Sequence, residues 1–323
     1  MKYIVTGASG LIGSGIVWGL NQRGIEDILA VDHLGTSDKW KNLRALKYED
    51  YCEKDDFIEN LDKYAASAEV IIHMGACSAT TERDASYLIE NNYEYTKKLA
   101  EFSLANNIRF LYASSCATYG DGSLGYDDNE AEIEKLRPMN MYGYSKHMFD
   151  LWARRQGILK KITGVKFSNV YGSNEHHKGE MRSVVRRAFE QISETGKLRL
   201  FKSYRSEYAD GEQMRDFLYI KDAVDMVLFL VEHPAGFGLF NIGSGKAETW
   251  NALGEAAFKA MSKPVRIEYI DMPEHLRDRY QYYTKAEMNK LKALGYEKEP
   301  MSLKDAIRDY ICNYSLEEKL LGD

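Results

Sequence analysis

An α/β fold with a doubly wound parallel sheet is predicted by three features of this 323-residue chain. The first is its opening, where the apolar run Tyr3-Ile4-Val5 empties into Thr6-Gly7-Ala8-Ser9-Gly10-Leu11-Ile12-Gly13, a strand, a glycine turn and a helix start. The second is repetition. Short apolar runs recur at Ile28 to Val31, Val70 to Ile72, Arg109 to Ala113 and Gly164 to Phe167, with helical patterns near residues 84–106 and 141–158 between them. The third lies just past the strand ends, at Gly75-Ala76-Cys77-Ser78, then Ser114-Ser115, then Asn169-Val170-Tyr171-Gly172. Ligands of such sheets bind beyond the carboxyl ends of the strands, so these glycine-rich and polar segments converge on one crevice.

The first βα unit carries its own chemistry. Gly7 and Gly10 allow a tight turn that brings backbone N–H groups up to a pyrophosphate at the positive end of the next helix, and Gly13 lets that helix lie close on the strand. The helix is amphipathic, with Ile12, Ile16, Val17 and Leu20 on its apolar side. Asp32 follows the second strand at the distance where a carboxylate meets an adenosine ribose, which makes the domain Rossmann-like. A tight turn with no ligand is the plainer alternative.

Past residue 170 the alternation loosens. Helices are expected at 181–194, 221–232, 248–261, 284–293 and 301–317, with extended pieces at 198–201, 215–220, 239–242 and 266–270. This predicts a dinucleotide-binding domain over 1–168 and a smaller α/β substrate lid over 169–323, with segments near 215–245 returning to the sheet.

Composition narrows the class. Apolar residues at 44% and aromatics at 12% suffice for a large core. A net charge of −6 argues against a nucleic-acid partner, which needs clustered Lys and Arg. Cys52, Cys77, Cys116 and Cys312 contain no C-x-x-C pair, so neither a disulfide framework nor a zinc site is expected. His176 and His177 lack a third ligand nearby, and no metal is expected. No run approaches the roughly 18 apolar residues of a membrane span, and Met1-Lys2 leads straight into the first strand. A soluble, cytoplasmic protein with no membrane partner is the expectation.

Tyr142-Gly143-Tyr144-Ser145-Lys146 sets a phenol and an ammonium four residues apart on one helix face. A free phenol, with a pKa of about 10, is a poor base at neutral pH. A nearby ammonium, with the positive nicotinamide ring of an oxidised cofactor, stabilises phenolate and is expected to draw that pKa down. Ser115 ends its strand where a hydroxyl either meets the same substrate oxygen or caps the following turn.

The glycine turn, Asp32, Ser115 and the Tyr142/Lys146 pair together resemble the extended short-chain dehydrogenase/reductase superfamily, over essentially the whole chain. The resemblance implies a Rossmann domain, a tightly held nicotinamide cofactor and a nucleotide-sugar substrate under the C-terminal lid, with Ser115, Tyr142 and Lys146 catalytic. Within that superfamily, the stretches His73 to Glu82, Glu90 to Tyr93, Asn140 to Lys146 and His177 to Met181 are similar to the ADP-L-glycero-D-manno-heptose 6-epimerase family. So are Arg215-Asp216-Phe217 and Arg279-Tyr280-Gln281. That likeness implies epimerisation at C6 of an ADP-heptose for lipopolysaccharide core, in a homo-oligomer, pentamers included. It places the cofactor on Gly7, Gly10, Leu11, Ile12, Gly13, Asp32, His33, Lys39, Lys54, Gly75, Ala76, Cys77, Ser78, Asn91 and Lys146. It places the substrate on Ser78, Asn169, Val170, Glu180, Arg187, Phe201, Arg215 and Tyr280, and makes Lys178 a second proton acceptor.

Two bases suit the chemistry. C6 of the heptose is exocyclic, so the oxidised carbon rotates about C5–C6 and its oxygen occupies two places, of which one tyrosine covers only one. Asp32 alone favours NAD, whereas Lys39 and Lys54 neutralise the 2′-phosphate of NADP, and the family likeness points to NADP. A hexose 4-epimerase, which has no need of Lys178, is the alternative. A 4,6-dehydratase fits less well, because Cys116-Ala117 follow Ser115 where elimination needs an acid and a base. A non-catalytic dinucleotide-binding protein would have no use for the tyrosine–lysine pair.

Overall fold

The computed structural model describes residues 1–277 and 280–323. Arg279 therefore lies outside the described residues. Seven strands of the described chain form one parallel sheet, in the order Gly238–Ile242, Thr163–Phe167, Arg109–Ser115, Val70–His73, Tyr3–Thr6, Ile28–Asp32, Asp50–Glu53. Tyr3–Thr6 pairs with Ile28–Val31 on one side and Val70–His73 on the other, so the winding reverses at this strand. Ligands of doubly wound sheets bind at that reversal.

Apart from the edge strand Asp50–Glu53, the strands are buried on both faces, which is why the sequence shows unbroken apolar runs rather than alternation. Ile4, Leu29, Ile71 and Phe110 face one core, and Val5, Ala30, Ile72 and Leu111 face the other. The first helix, Leu11–Gln22, lies on the second core beside Ile220–Glu232. Residues 238–242 return from late in the chain to pair with Thr163–Phe167.

Elsewhere, short elements cluster. Leu198–Phe201 pairs in parallel with Ile267–Ile270, and Phe217–Tyr219 with Asn169–Tyr171. The extended piece near 215–220 is two strands, Met214–Arg215 and Phe217–Tyr219, divided at Asp216.

Three elements depart from the sequence pattern for visible reasons. The helix expected near 84–106 is interrupted by a π-helical turn, Ile89–Glu94. There the Asn92 side chain receives Cys77 N–H at 2.9 Å and donates to Cys77 O and Ser145 Oγ, both at 3.0 Å. The helix expected at 284–293 is confined to Asn289–Ala293. Residues 284–287 are instead tied to other segments, Thr284 N–H to Met214 O, Ala286 N–H to Asp216 Oδ2 and Glu287 N–H to Tyr126 O. The edge strand Asp50–Glu53 has no apolar run to announce it, because its two ends, Asp50 and Glu53, are charged and exposed.

Candidate active site

A cavity of about 550 Å³ opens where the winding reverses, lined on one side by Gly7, Gly10, Leu11, Ile12 and Gly13. Asp32, Lys39, Gly75, Ala76 and Ser78 continue that wall. Ser115, Tyr142, Lys146, Asn169, Val170 and Lys178 complete the opposite side. A cleft of about 150 Å³ adjoins it, sharing Gly7, Asp32, Lys39, Gly75 and Ala76 and adding His33, Lys54, Cys77 and Asn91.

The glycine turn fits a dinucleotide. A Cβ on Gly13 would stand 2.0 Å from Gly7 O, so only glycine lets the helix start this close to the strand. The helix N-terminus then points its free N–H groups at the cavity. Asp32 is held beneath, with Oδ2 accepting Ser9 N–H at 2.8 Å and Ser9 Oγ–H at 2.6 Å. Its Oδ1 accepts His33 N–H and Lys39 Nζ, each at 2.7 Å. Lys39 thus already neutralises the carboxylate. Lys54 lies nearby, paired with Asp55 at 2.9 Å and 5.9 Å from the Tyr95 ring centroid.

Tyr142 and Lys146 lie on the helix Met141–Arg155, whose start is fixed by Asn140 Oδ1 accepting Gly143 N–H at 2.8 Å. A Cβ on Gly143 would meet Ala117 O at 2.8 Å, so this helix end rests directly on the turn after Ser115. Ser115 Oγ accepts Ala117 N–H at 3.1 Å, a turn cap, and lines the cavity together with Tyr142. Burial raises the Tyr142 phenol above its ordinary value, with Ser115 the main opposing influence. In the chain alone the phenol is thus raised, not lowered as the nearby ammonium led one to expect. Burial pushes Lys146 down to about 8, against Asp150 one turn along the helix.

Lys178 sits on the turn His176–Met181. Burial lowers its ammonium below the usual lysine range, against the Glu175 carboxylate. The other substrate candidates fall in two places. Arg215 lies 5.1 Å from the Tyr280 ring centroid and 5.6 Å from that of Trp250, and Phe201 meets Tyr280 edge-on at 6.5 Å. Trp250 Nε1 donates to Tyr280 OH at 2.9 Å. Glu180 and Arg187 pair with one another at 3.2 Å and, like Phe201, Arg215 and Tyr280, are not among the residues lining the cavity.

The profile of the NAD dependent epimerase/dehydratase family matches residues 3–243. The chain belongs to that family. An ADP-L-glycero-D-manno-heptose-6-epimerase from Nitratidesulfovibrio vulgaris strain DP4 is 52% identical over 314 residues, 97% of each chain. The crystal structure of the Helicobacter pylori protein of that name superposes with a TM-score of 0.81 at 22% identity, covering 97% of this chain and 95% of the other. A UDP-glucose 4-epimerase from Thermotoga maritima superposes equally, with a TM-score of 0.80 at 24% identity over 99% and 100% of the chains. The fold is thus common to both chemistries, and the distinction lies in side chains.

As a member of the NAD dependent epimerase/dehydratase family, the chain takes a nicotinamide dinucleotide. Several residues that support this family's site here were not singled out from sequence. Asp150, buried, accepts Tyr112 OH at 2.9 Å, Ser114 Oγ–H at 2.7 Å and the Lys166 ammonium at 2.8 Å. It thereby locks the strand ending in Ser115 to the helix of Tyr142. Its place four residues after Lys146 was a readable signal. Asp216 accepts from Ser244 N–H at 2.7 Å, Gly245 N–H at 3.1 Å and Ala286 N–H at 3.0 Å, so in Arg215-Asp216-Phe217 the acid is structural.

His73 joins the glycine turn to the π-helical turn. Thr96 Oγ donates to Asn92 O at 2.6 Å, which leaves His73 Nε2–H to donate to Thr96 Oγ at 3.0 Å. His73 Nδ1 then accepts from Thr6 Oγ at 2.6 Å, and Thr6 Oγ accepts Gly75 N–H at 3.2 Å. Burial pushes this histidine down to about 3, so the ring stays neutral. Unfolded, it titrates at about 6.5. Its depressed native pKa means that the unfolded chain binds more protons below that pH. Stability is therefore full above about 6.5 and falls as pH drops towards 3. Between pH 7 and pH 5, urea unfolding should lose about 2 kcal/mol from His73 alone. His147, also held down to about 4 by burial, adds to the loss. An unchanged midpoint and slope over that range would contradict this.

Proposed function

We propose that this chain is an ADP-L-glycero-D-manno-heptose 6-epimerase, inverting C6 of ADP-D-glycero-D-manno-heptose with bound NADP and supplying heptose for lipopolysaccharide core. One observation carries the reading: Lys178 lines the same cavity as Ser115, Tyr142 and Lys146. The 52% identity to the Nitratidesulfovibrio vulgaris protein supports it.

The bound dinucleotide supplies reversible hydride transfer at C6. Tyr142, on the same cavity wall as Ser115, exchanges the proton of the C6 oxygen in one orientation. Lys178, whose ammonium is disfavoured by burial, serves that oxygen after rotation about C5–C6. Lys146, fixed by the Asp150 side of the helix, keeps a positive charge beside the dinucleotide and the phenol. Ser78, Asn169 and Val170 meet the sugar from the cavity wall. Arg215, with the rings of Phe201 and Tyr280, offers a buried cation and aromatic faces to the nucleotide portion, and Glu180 and Arg187 stand at the rim. NADP is favoured over NAD because Lys39 cancels the Asp32 charge that a 2′-phosphate would otherwise meet, and Lys54 adds a second cation.

In this reading residues 1–168, with the strand Gly238–Ile242, hold the dinucleotide and most of 169–323 closes over the sugar. Assembly as a homo-oligomer, a pentamer among the forms, and a cytoplasmic location belong to it too. Among the described residues no helix is long and apolar enough to cross a membrane. The test is product analysis after separate incubations with ADP-D-glycero-D-manno-heptose and UDP-glucose. Conversion of the first alone is expected, and conversion of UDP-glucose alone would make the chain a hexose 4-epimerase.

A further inference from the structure

Lys178 lies on a short turn and is placed from outside it. Behind that turn Asn42 is buried, with Nδ2 donating to Ser9 O at 2.8 Å and Asn174 O at 2.9 Å. The same nitrogen stands 3.3 Å from Nδ1 of His177, the residue before Lys178. Ser9 belongs to the glycine turn and holds Asp32 through its N–H and hydroxyl. One carboxamide therefore spans the dinucleotide turn and both sides of the approach to Lys178. Its other half is unsatisfied: Asn42 Oδ1 is buried with no hydrogen-bond partner among the described residues. An orphaned buried acceptor is destabilising, so the side chain is worth more for where it holds its neighbours than for stability.

Asn174 reinforces the same point. It adopts a left-handed backbone with φ of 77°, donates from Nδ2 to Ser14 Oγ at 2.9 Å and accepts Leu321 N–H at 2.9 Å. Glu175 accepts from Ser183 Oγ at 2.7 Å and Tyr310 OH at 3.0 Å. The approach to Lys178 is thus pinned to the first helix, the glycine turn and the C-terminal segment.

We propose that Asn42 is a positioning residue for Lys178, fixing its turn against Ser9 so that the amine faces the sugar in register with the dinucleotide site. The inference rests on Lys178 acting as the second base. It is tested by a double-mutant cycle of Asn42→Ala and Lys178→Met, reading kcat and KM for epimerisation, dinucleotide Kd and urea stability for each variant. Asn42→Ala should lower kcat by about tenfold or more while KM and Kd stay within about threefold, and should cost nothing further in the Lys178→Met background. Where Asn42→Ala folds poorly, Asn42→Ser, which keeps a short donor, replaces it in the same cycle and should recover part of kcat. Losses that multiply in the double variant, or an unchanged kcat in Asn42→Ala, overturn the proposal while leaving Lys178 as a base. A Lys178→Met variant with near-native kcat removes that base, and the proposal with it.

Discussion

Replacing Tyr142 with Phe lowers epimerisation turnover by about a hundredfold or more, the usual scale for losing a positioned acid/base group. The phenol lines the cavity with Ser115 and Lys146, and a serine hydroxyl, a far weaker acid than a phenol, does not replace it in proton exchange. Folding should be spared. The ring is retained, and the contacts that hold this helix in place belong to Asn140, Gly143 and Asp150 rather than to the phenol oxygen. Steady-state turnover, with urea stability and dinucleotide affinity as controls, checks this. Turnover within a few-fold of the native chain would mean that a different group handles the proton.

The second large effect is that of Lys178→Met. Methionine keeps the length and much of the volume of the side chain but removes the amine, so the turn pinned by Asn174 and Glu175 should stay in place. Turnover should fall by about a hundredfold or more while dinucleotide affinity holds, because in the proposed reading this group serves the sugar and not the dinucleotide. A loss of the same size as that of Tyr142→Phe is expected, since each variant lacks one of the two positions that the rotating oxygen must visit. If only dinucleotide affinity changed, Lys178 would belong to the cofactor site, and a hexose 4-epimerase working through Tyr142 alone would be the better account.

The sheet was legible because a doubly wound fold writes itself locally: each strand is an apolar run, each turn is glycine-rich, and Tyr142 and Lys146 are neighbours on one helix turn. What stayed hidden depends on contacts far apart in sequence. Asn42 is an unremarked residue until Asn174 arrives 132 positions later, and the ion pair that Asp150 makes from its helix with Lys166 on a strand is invisible in sequence. Tertiary contacts also overrode periodicity, as where Ala286 is tied to Asp216 within the stretch 284–293 that the pattern assigns to a helix. The phenol shows a different limit. Sequence places an ammonium near Tyr142, but desolvation, which depends on the packed surroundings, sets the direction of its pKa in the chain alone.

Incubation with ADP-D-glycero-D-manno-heptose in deuterium oxide, followed by proton NMR at C6, tests the central claim most directly. Two proton-transfer groups on one cavity, with the hydride passing out and back within it, require that the C6 configuration inverts while the C6 hydrogen remains protium. Deuterium at C6 of the product, or no inversion at all, would contradict the account.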